Sequence, residues 1–155
     1  MKKRSGFVTN SSSSSFILGF SNSDSIANEL KDIKNTECYK AILLDCIEKD
    51  KMTLENALRL YEMELENGWM GYFLLQDFML ENDYKSSEYE KAENSPEFRK
   101  KLNKAFDEKI EEFKEKCKGK EVFVSLMYSD DYEMNAMLEH LTYNINACVA
   151  AFSHH

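Results

Sequence analysis

Hydrophobic and polar positions follow a helical period over much of the chain and a strand-like pattern near its two ends. Apolar residues recur three and four positions apart within 26–33, 39–47 and 54–65, which predicts three helices. Thr53 is a predicted N-cap of the third, and the pair Asn67-Gly68 predicts its end. This part of the chain is therefore expected to be mainly helical.

Two further helices are predicted beyond the third. The segment 69–80 is nearly all apolar, and a helix that is apolar on most of its sides is buried or packs on a partner. Residues 81–94 are polar and are predicted to form a linker. Ser95-Pro96 then supplies an N-cap followed by proline at the first helical position, so a helix is expected over 96–118, with Gly119 ending it.

Strands are predicted near both ends of the chain. The apolar run 16–20 predicts one, and 147–152 predicts another. The segment 121–128 is nearly continuously apolar, which indicates burial on both faces or on one face beside a helix layer. A short helix is expected around 134–141.

These elements predict an α+β fold. A small antiparallel-type sheet would combine the N-terminal, 121–128 and C-terminal strands, with four or five helices inserted between the first two. The two ends of the chain must then come together, and the 96–118 helix is expected to pack on the sheet. The domain prediction is a single domain over residues 1–155, with a helical insert at about 24–94.

Composition narrows the function classes. The chain has 155 residues, 43% of them apolar, with a formal charge of −8. That acidity argues against broad binding to nucleic-acid phosphates, which needs a surplus of Lys and Arg. No apolar run approaches the roughly 20 residues that span a bilayer, and no apolar signal-peptide core follows the first residues, so no membrane association and a cytoplasmic location are expected. The cysteines form no C-x-x-C pair and are predicted to be reduced, buried thiols. They are Cys38, Cys46, Cys117 and Cys148.

The first residues carry a specific motif. The segment Arg-Ser-Gly-Phe-Val-Thr-Asn, then five serines and Phe, resembles the R-x-G-F-V-[ST]-N-S-S-S-S-S-F signature that opens many uncharacterised bacterial and bacteriophage proteins. The resemblance implies a phage or mobile-element context and carries no settled activity. The signature residues are Arg4, Gly6, Phe7, Asn10, Ser11, Ser12, Ser13, Ser14, Ser15 and Phe16.

Three interpretations of that segment stay open. A hydroxyl-rich loop near an arginine could cradle a phosphate. The serines could instead be a flexible segment that another protein recognises or modifies. The structural alternative is that Phe7, Val8 and Phe16 anchor the segment in the core while the serines pair with a neighbouring strand.

Imidazole and carboxylate groups gather near the other end. They are the usual ligand set for a divalent transition metal such as Zn²⁺ or Mn²⁺, although the spacing matches no metalloprotease motif. Exposed or core-satisfied histidines are one alternative, and a metal-free catalytic acid and base is the other. The candidate metal ligands are Asp130, Asp131, Glu139, His140 and His154.

The aromatic and methionine-rich middle segment is the candidate partner-binding region. Core packing is one interpretation, and a partner-binding or homodimer face is the other, since methionine and aromatic side chains adapt to partner surfaces. The candidate residues are Trp69, Met70, Tyr72 and Phe73.

The function hypothesis is a non-enzymatic protein-interaction module of phage or mobile-element origin, or an inhibitor of a host nucleic-acid-binding or defence enzyme. An acidic aromatic surface could occupy the basic nucleic-acid channel of such an enzyme. One alternative is a small metal-dependent enzyme, such as a hydrolase, that uses the C-terminal cluster. A third is a carrier of the recognised or modified serine segment.

Overall fold

Strands near both ends of the chain enclose a series of helices. The structure, a computed structural model, describes residues 13–22, 24–29, 31, 37–129, 138–142 and 144–154. Residues 138–142 are helical, and Ser86–Glu88 is a 3-10 turn. The strands are β1 (Ser13–Phe20), β2 (Val122–Ser129) and β3 (Cys148–His154), and the helices are α1 (Ile26–Glu29), α2 (Glu37–Asp50), α3 (Leu54–Asn67), α4 (Met70–Glu81), α5 (Tyr89–Glu93) and α6 (Pro96–Lys116).

The three strands form one antiparallel sheet in the order β2-β1-β3. Ser13 lies opposite Ser129 in β2 and opposite His154 in β3. The predicted α+β fold is therefore confirmed, and so is the expectation that the terminal strands pair. Among the described residues six α-helices lie between β1 and β2, where four or five were predicted, and the additional one is α5, a helix of 5 residues.

The central strand β1 is buried on both faces. Phe16 and Leu18 belong to one core with α2, while Ile17, between them in sequence, belongs to a second core with α3 and α6. Successive side chains of a strand point to opposite faces, so this division follows from the sequence of β1. Tyr61 of α3 stacks on Phe113 of α6 with ring centroids 4.2 Å apart, and the predicted packing of the 96–118 helix on the sheet is confirmed.

Beyond the sheet, α4, α5 and the start of α6 share a third apolar cluster. The prediction of a linker over 81–94 is wrong, because Ser86–Glu88 and α5 lie there. The backbone N–H of Lys85 donates to the Glu88 carboxylate at 3.1 Å, and Ala92 is fully buried. Packing of Ala92 and of the half-buried Tyr84 and Tyr89 in the third cluster thus orders a segment whose composition is mainly polar.

The predicted helix ends are confirmed by local geometry. The Thr53 hydroxyl accepts the Asn56 N–H at 3.3 Å, and the Ser95 hydroxyl accepts the Phe98 N–H at 3.2 Å. Gly119 follows α6 with a φ of 74°, a conformation that glycine adopts at little cost.

The four cysteines are free thiols. Cys117 is buried, and burial raises its pKa to about 11, so this thiol stays protonated and unreactive near neutral pH. Cys46 and Cys148 are half-buried, but Cys38 is exposed. The expectation of burial is wrong for Cys38 because the next residue, Tyr39, points into the core instead.

Candidate partner-binding surface

Helix α4 has one buried side and one exposed apolar side. Leu75, Phe78 and Met79 are at most 7% exposed and belong to the third cluster. The opposite side carries four large apolar side chains, called the outer stripe below. The outer stripe consists of Trp69, Tyr72, Phe73 and Leu80, with exposed fractions of 52%, 45%, 60% and 78%.

The outer stripe follows one face of the helix. The other three members lie three, four and eleven positions after Trp69, which is the spacing of side chains on one helical face. At 1.5 Å per residue the stripe is about 17 Å long. Core packing alone therefore does not account for the aromatic middle segment, because four of its nine large apolar side chains face solvent.

The three rings of the outer stripe contact one another. Trp69 and Tyr72 have centroids 5.7 Å apart and planes at 84°, and Tyr72 and Phe73 are 5.7 Å apart at 70°. Trp69 and Phe73 lie 6.4 Å apart. Edge-to-face contacts of this kind are favourable, so the rings hold each other in place without a partner.

The turn between α3 and α4 positions Trp69. Gly68 ends α3, and a Cβ atom there would come within 2.8 Å of the Glu64 carbonyl oxygen. Because Gly68 has no side chain, the backbone can turn away from α3 while passing close to the Glu64 carbonyl group. The Trp69 carbonyl then accepts the Phe73 N–H at 3.0 Å, which begins α4 with Trp69 at its N-cap position.

Met70, the fourth candidate partner-binding residue, has a different environment. It is half-buried and packs against the second core. Met70 therefore joins α4 to the sheet-bound part of the molecule, while its predicted companions Trp69, Tyr72 and Phe73 face outward.

The charged residues that α3 and α4 place around the outer stripe are acidic, while the α6 cations Arg99 and Lys101 are bonded to Asn94 and Glu81. Asp77 lies one helical turn after Phe73, and Glu66 lines the same cavity as Tyr72. Neither carboxylate forms an ion pair within the described residues, whereas Glu81 is paired with Lys101 at 2.7 Å. No Lys, Arg or His occurs from 60 to 84, where the acidic residues are Glu62, Glu64, Glu66, Asp77, Glu81 and Asp83.

A cavity of about 620 Å³ adjoins the stripe at Tyr72. It is bounded by residues of α3, α4, α5 and α6. Its wall is mixed, with Phe98 and Leu102 beside Arg99, whose Nη2 donates to the Asn94 side-chain oxygen at 2.8 Å. Because Arg99 and Asn94 are bonded to each other and the rest of the wall is mixed, the cavity by itself identifies no ligand.

The serine signature enters the sheet at β1. Ser14 is 2% exposed and donates to the Glu139 carboxylate at 2.6 Å, and Ser15 is 7% exposed and donates to the Glu64 carboxylate at 3.0 Å. Phe16 is fully buried. For Ser13, Ser14, Ser15 and Phe16, the structural interpretation is confirmed, since these residues form the central strand.

The rest of the signature lies outside the described residues. This applies to Arg4, Gly6, Phe7, Asn10, Ser11 and Ser12. The phosphate-cradle and recognised-segment hypotheses therefore stay predictions for those positions. At Ser14 and Ser15 an incoming enzyme would first have to separate buried, hydrogen-bonded hydroxyls from the sheet.

The predicted metal ligands are only partly placed. Glu139 is half-buried and accepts the Ser14 hydroxyl, while His140 is exposed. The backbone of His154 lies beside Ser13. Asp130 and Asp131 lie outside the described residues. The part of the chain that is described brings no three His, Cys, Asp or Glu side chains into a metal-binding group, and the metal site stays a prediction.

One buried polar network escaped the sequence analysis. Tyr39 Oη and Thr142 Oγ1 are 2.9 Å apart, and Thr142 donates to the Leu138 carbonyl at 2.7 Å. Tyr128 Oη lies 3.4 Å from the same threonine oxygen. Burial raises the pKa of Tyr39 to about 12 and also raises that of Tyr128. These phenols are therefore neutral near pH 7 and tie α2, β2 and the 138–142 segment together.

Comparison with known proteins gives no guide to the site. No protein-family model matches the chain, and neither a curated protein nor a solved structure matches it. Among the described helices, none has both the length and the apolar character that crossing a bilayer requires. The function must therefore be inferred from the residues themselves.

Proposed function

We propose that this chain is a protein-interaction module that binds its partner through the outer stripe of α4. The observation that carries the proposal is the exposure of three mutually contacting aromatic rings and Leu80 on one helix face. Aromatic side chains are enriched in interface cores and among the residues that dominate binding energy.

The size of the stripe supports a binding role. If an aromatic side chain carries about 200 Å² of surface, the stripe exposes on the order of 400 Å². Patches of that size on a monomer are often functional. Isolated exposed apolar residues need no explanation, but the three contacting rings form one patch. Leu80 extends the same helix face about 10 Å further.

The charge pattern supports a basic partner. All charged residues from 60 to 84 are acidic, so a cationic surface approaching the stripe would be attracted and an anionic one repelled. The basic nucleic-acid channel of a host defence or nucleic-acid-processing enzyme has that character. We therefore include inhibition of such an enzyme, in a phage or mobile-element context, in the proposal.

The test is affinity capture from bacterial extract with three immobilised proteins. They are the wild type, the Trp69→Ala/Tyr72→Ala/Phe73→Ala variant, and Leu44→Ala, which truncates a 41% exposed leucine on α2. The expected result is a saturable partner that wild type and Leu44→Ala retain and the triple variant loses. Retention by the triple variant contradicts the proposed surface.

A second step tests the inhibitor part of the proposal. Double-stranded DNA or RNA is added to the loaded wild-type resin. If the stripe occupies a nucleic-acid channel, the nucleic acid competes for the partner and releases it. A partner that binds nucleic acid and this chain together contradicts that part while leaving the interaction surface intact.

A further inference from the structure

We infer that the element seated on the outer stripe is an amphipathic helix with a basic rim, contributed by a different protein. This inference rests on the proposed function and specifies its partner. It depends on three features of the described surface, which are its linear shape, its helical spacing and the sign of the surrounding charge.

The shape of the stripe favours a helix. Trp69 and Leu80 mark its two ends and lie on the same face of α4, so the exposed side chains form a ridge along the helix axis, with Gln76 between Phe73 and Leu80. Ridges of one helix pack into the grooves of another at interaxial distances of about 8–10 Å. A partner helix lying along α4 would contact the whole ridge with residues spaced three and four apart.

An extended peptide segment fits the outer stripe less well than a helix does. A strand adds to unpaired backbone groups, and in an α-helix such as α4 these groups are bonded internally. The outer stripe offers only side chains. An extended peptide crossing it would leave its own backbone donors and acceptors unmatched, a cost that a helix avoids because its backbone is self-satisfied.

The sign of the unpaired charges makes a second copy of this chain a less favourable occupant. In a symmetric dimer the same patch lies on both subunits. The Asp77 and Glu66 carboxylates would then be brought toward a surface that carries the same negative charges, while the α6 cations Arg99 and Lys101 are already bonded to Asn94 and Glu81. Lysines and arginines on the rim of a partner helix would instead pair with Asp77 and Glu66.

The experiment uses synthetic peptides and the chain's single tryptophan. The first probe is an end-blocked peptide of about 18 residues, long enough to cover the stripe, with leucines at helical spacing and lysines elsewhere. The second has the same composition with leucine and lysine alternating, so that it is amphipathic only as a strand. The third replaces lysine by glutamate at helical spacing.

The inference predicts saturable binding of the helical leucine–lysine peptide, seen as a blue shift of Trp69 emission. The alternating and the glutamate peptides should bind at least about tenfold more weakly. Asp77→Asn and Glu66→Gln should each weaken binding by up to about fivefold, as expected for exposed charge pairs. Glu48→Gln on α2, an exposed carboxylate without an ion pair in the described part, is the matched control and should leave binding unchanged.

The outcomes separate this inference from the proposed function. Equal binding of the alternating peptide, or failure of all three peptides to bind, overturns the helix inference even if extract capture still depends on the stripe. Sedimentation that shows a dimer lost on Leu80→Ala also overturns it, because a second copy then covers the stripe. If extract capture is unaffected by the triple aromatic variant, the proposed function itself fails, whatever the peptides do.

Discussion

Truncating the two sides of α4 should separate stability from binding. Phe73 is 60% exposed and Leu75 is 2% exposed, although they lie two residues apart. Full burial of a large apolar side chain contributes about 1.5–3 kcal/mol. With less than half of its surface buried, Phe73 should contribute about 1 kcal/mol to the free energy of unfolding, and Phe73→Ala should cost no more than that.

Leu75→Ala should behave differently. It removes a buried side chain from the third cluster and leaves a cavity, which costs about 2–5 kcal/mol in comparable cores. For partner binding, Phe73→Ala should have the larger effect and Leu75→Ala the smaller one. Truncating an aromatic at the centre of an interface often costs 2 kcal/mol or more, which corresponds to a loss of roughly 30-fold in affinity. Phe73→Ala should therefore weaken partner binding strongly while it leaves folding nearly intact.

Urea unfolding followed by far-UV circular dichroism measures the stability difference. Circular dichroism is preferred to fluorescence because the Phe73 ring lies 6.4 Å from the Trp69 ring, so the substitution itself changes the emission. The slope of free energy against urea should be the same for all variants, which keeps the comparison valid. Leu44→Ala serves as the surface control and should lie within about 0.5 kcal/mol of wild type.

One result would refute the reasoning. If Phe73→Ala lowers the free energy of unfolding as much as Leu75→Ala does, the outer stripe stabilises the fold itself. The exposed rings would then need no partner to explain them. Equal losses for both substitutions, with an unchanged slope against urea, would remove the main support for the proposed surface.

Three other measurements test separate parts of the structure. Ser14→Ala removes the 2.6 Å donor to Glu139 and should cost about 1–3 kcal/mol in chemical denaturation; no loss would contradict the buried hydrogen bond. Gly71→Ala should raise the melting temperature, because alanine favours the helix and its Cβ would meet only Leu102 at 3.8 Å. Gly119→Ala should lower the melting temperature, because alanine is strained at the Gly119 φ of 74°. Burial raises the Tyr39 pKa from 10.0 to about 12. The free energy of unfolding should therefore include the full contribution of Tyr39 below pH 10 and should fall above pH 10 by up to about 1.4 kcal/mol per pH unit. A free energy of unfolding that stays constant from pH 10 to 12 would contradict that burial.

Local sequence signals account for much of the fold. The cap residues Thr53 and Ser95 act on backbone groups three positions away, so their effect is visible in a short window. The alternation within β1 similarly divides its residues between two cores. Such features depend on chain geometry close in sequence, and for this reason they could be predicted.

Features that depend on packing between distant parts of the chain could not be predicted from the sequence. Segment 69–80 is apolar around its circumference, so the period of the pattern cannot choose which side is buried. That choice follows from the contacts of Phe78 with Phe98, whose ring centroids are 5.4 Å apart. Likewise, Tyr39 and Thr142 are 103 positions apart, and no local pattern connects them.

The division of the molecule into clusters explains how an exposed apolar ridge is compatible with a stable fold. The sheet and its two cores use β1, including Ser14 and Ser15 of the N-terminal signature, as the central strand. The outer stripe belongs to α4, whose buried side packs in the separate third cluster. Substitutions along the stripe can therefore change what is bound without disturbing β1. We conclude that the described part of the signature supports the sheet, whereas the proposed recognition of a partner resides on the helical side of the molecule.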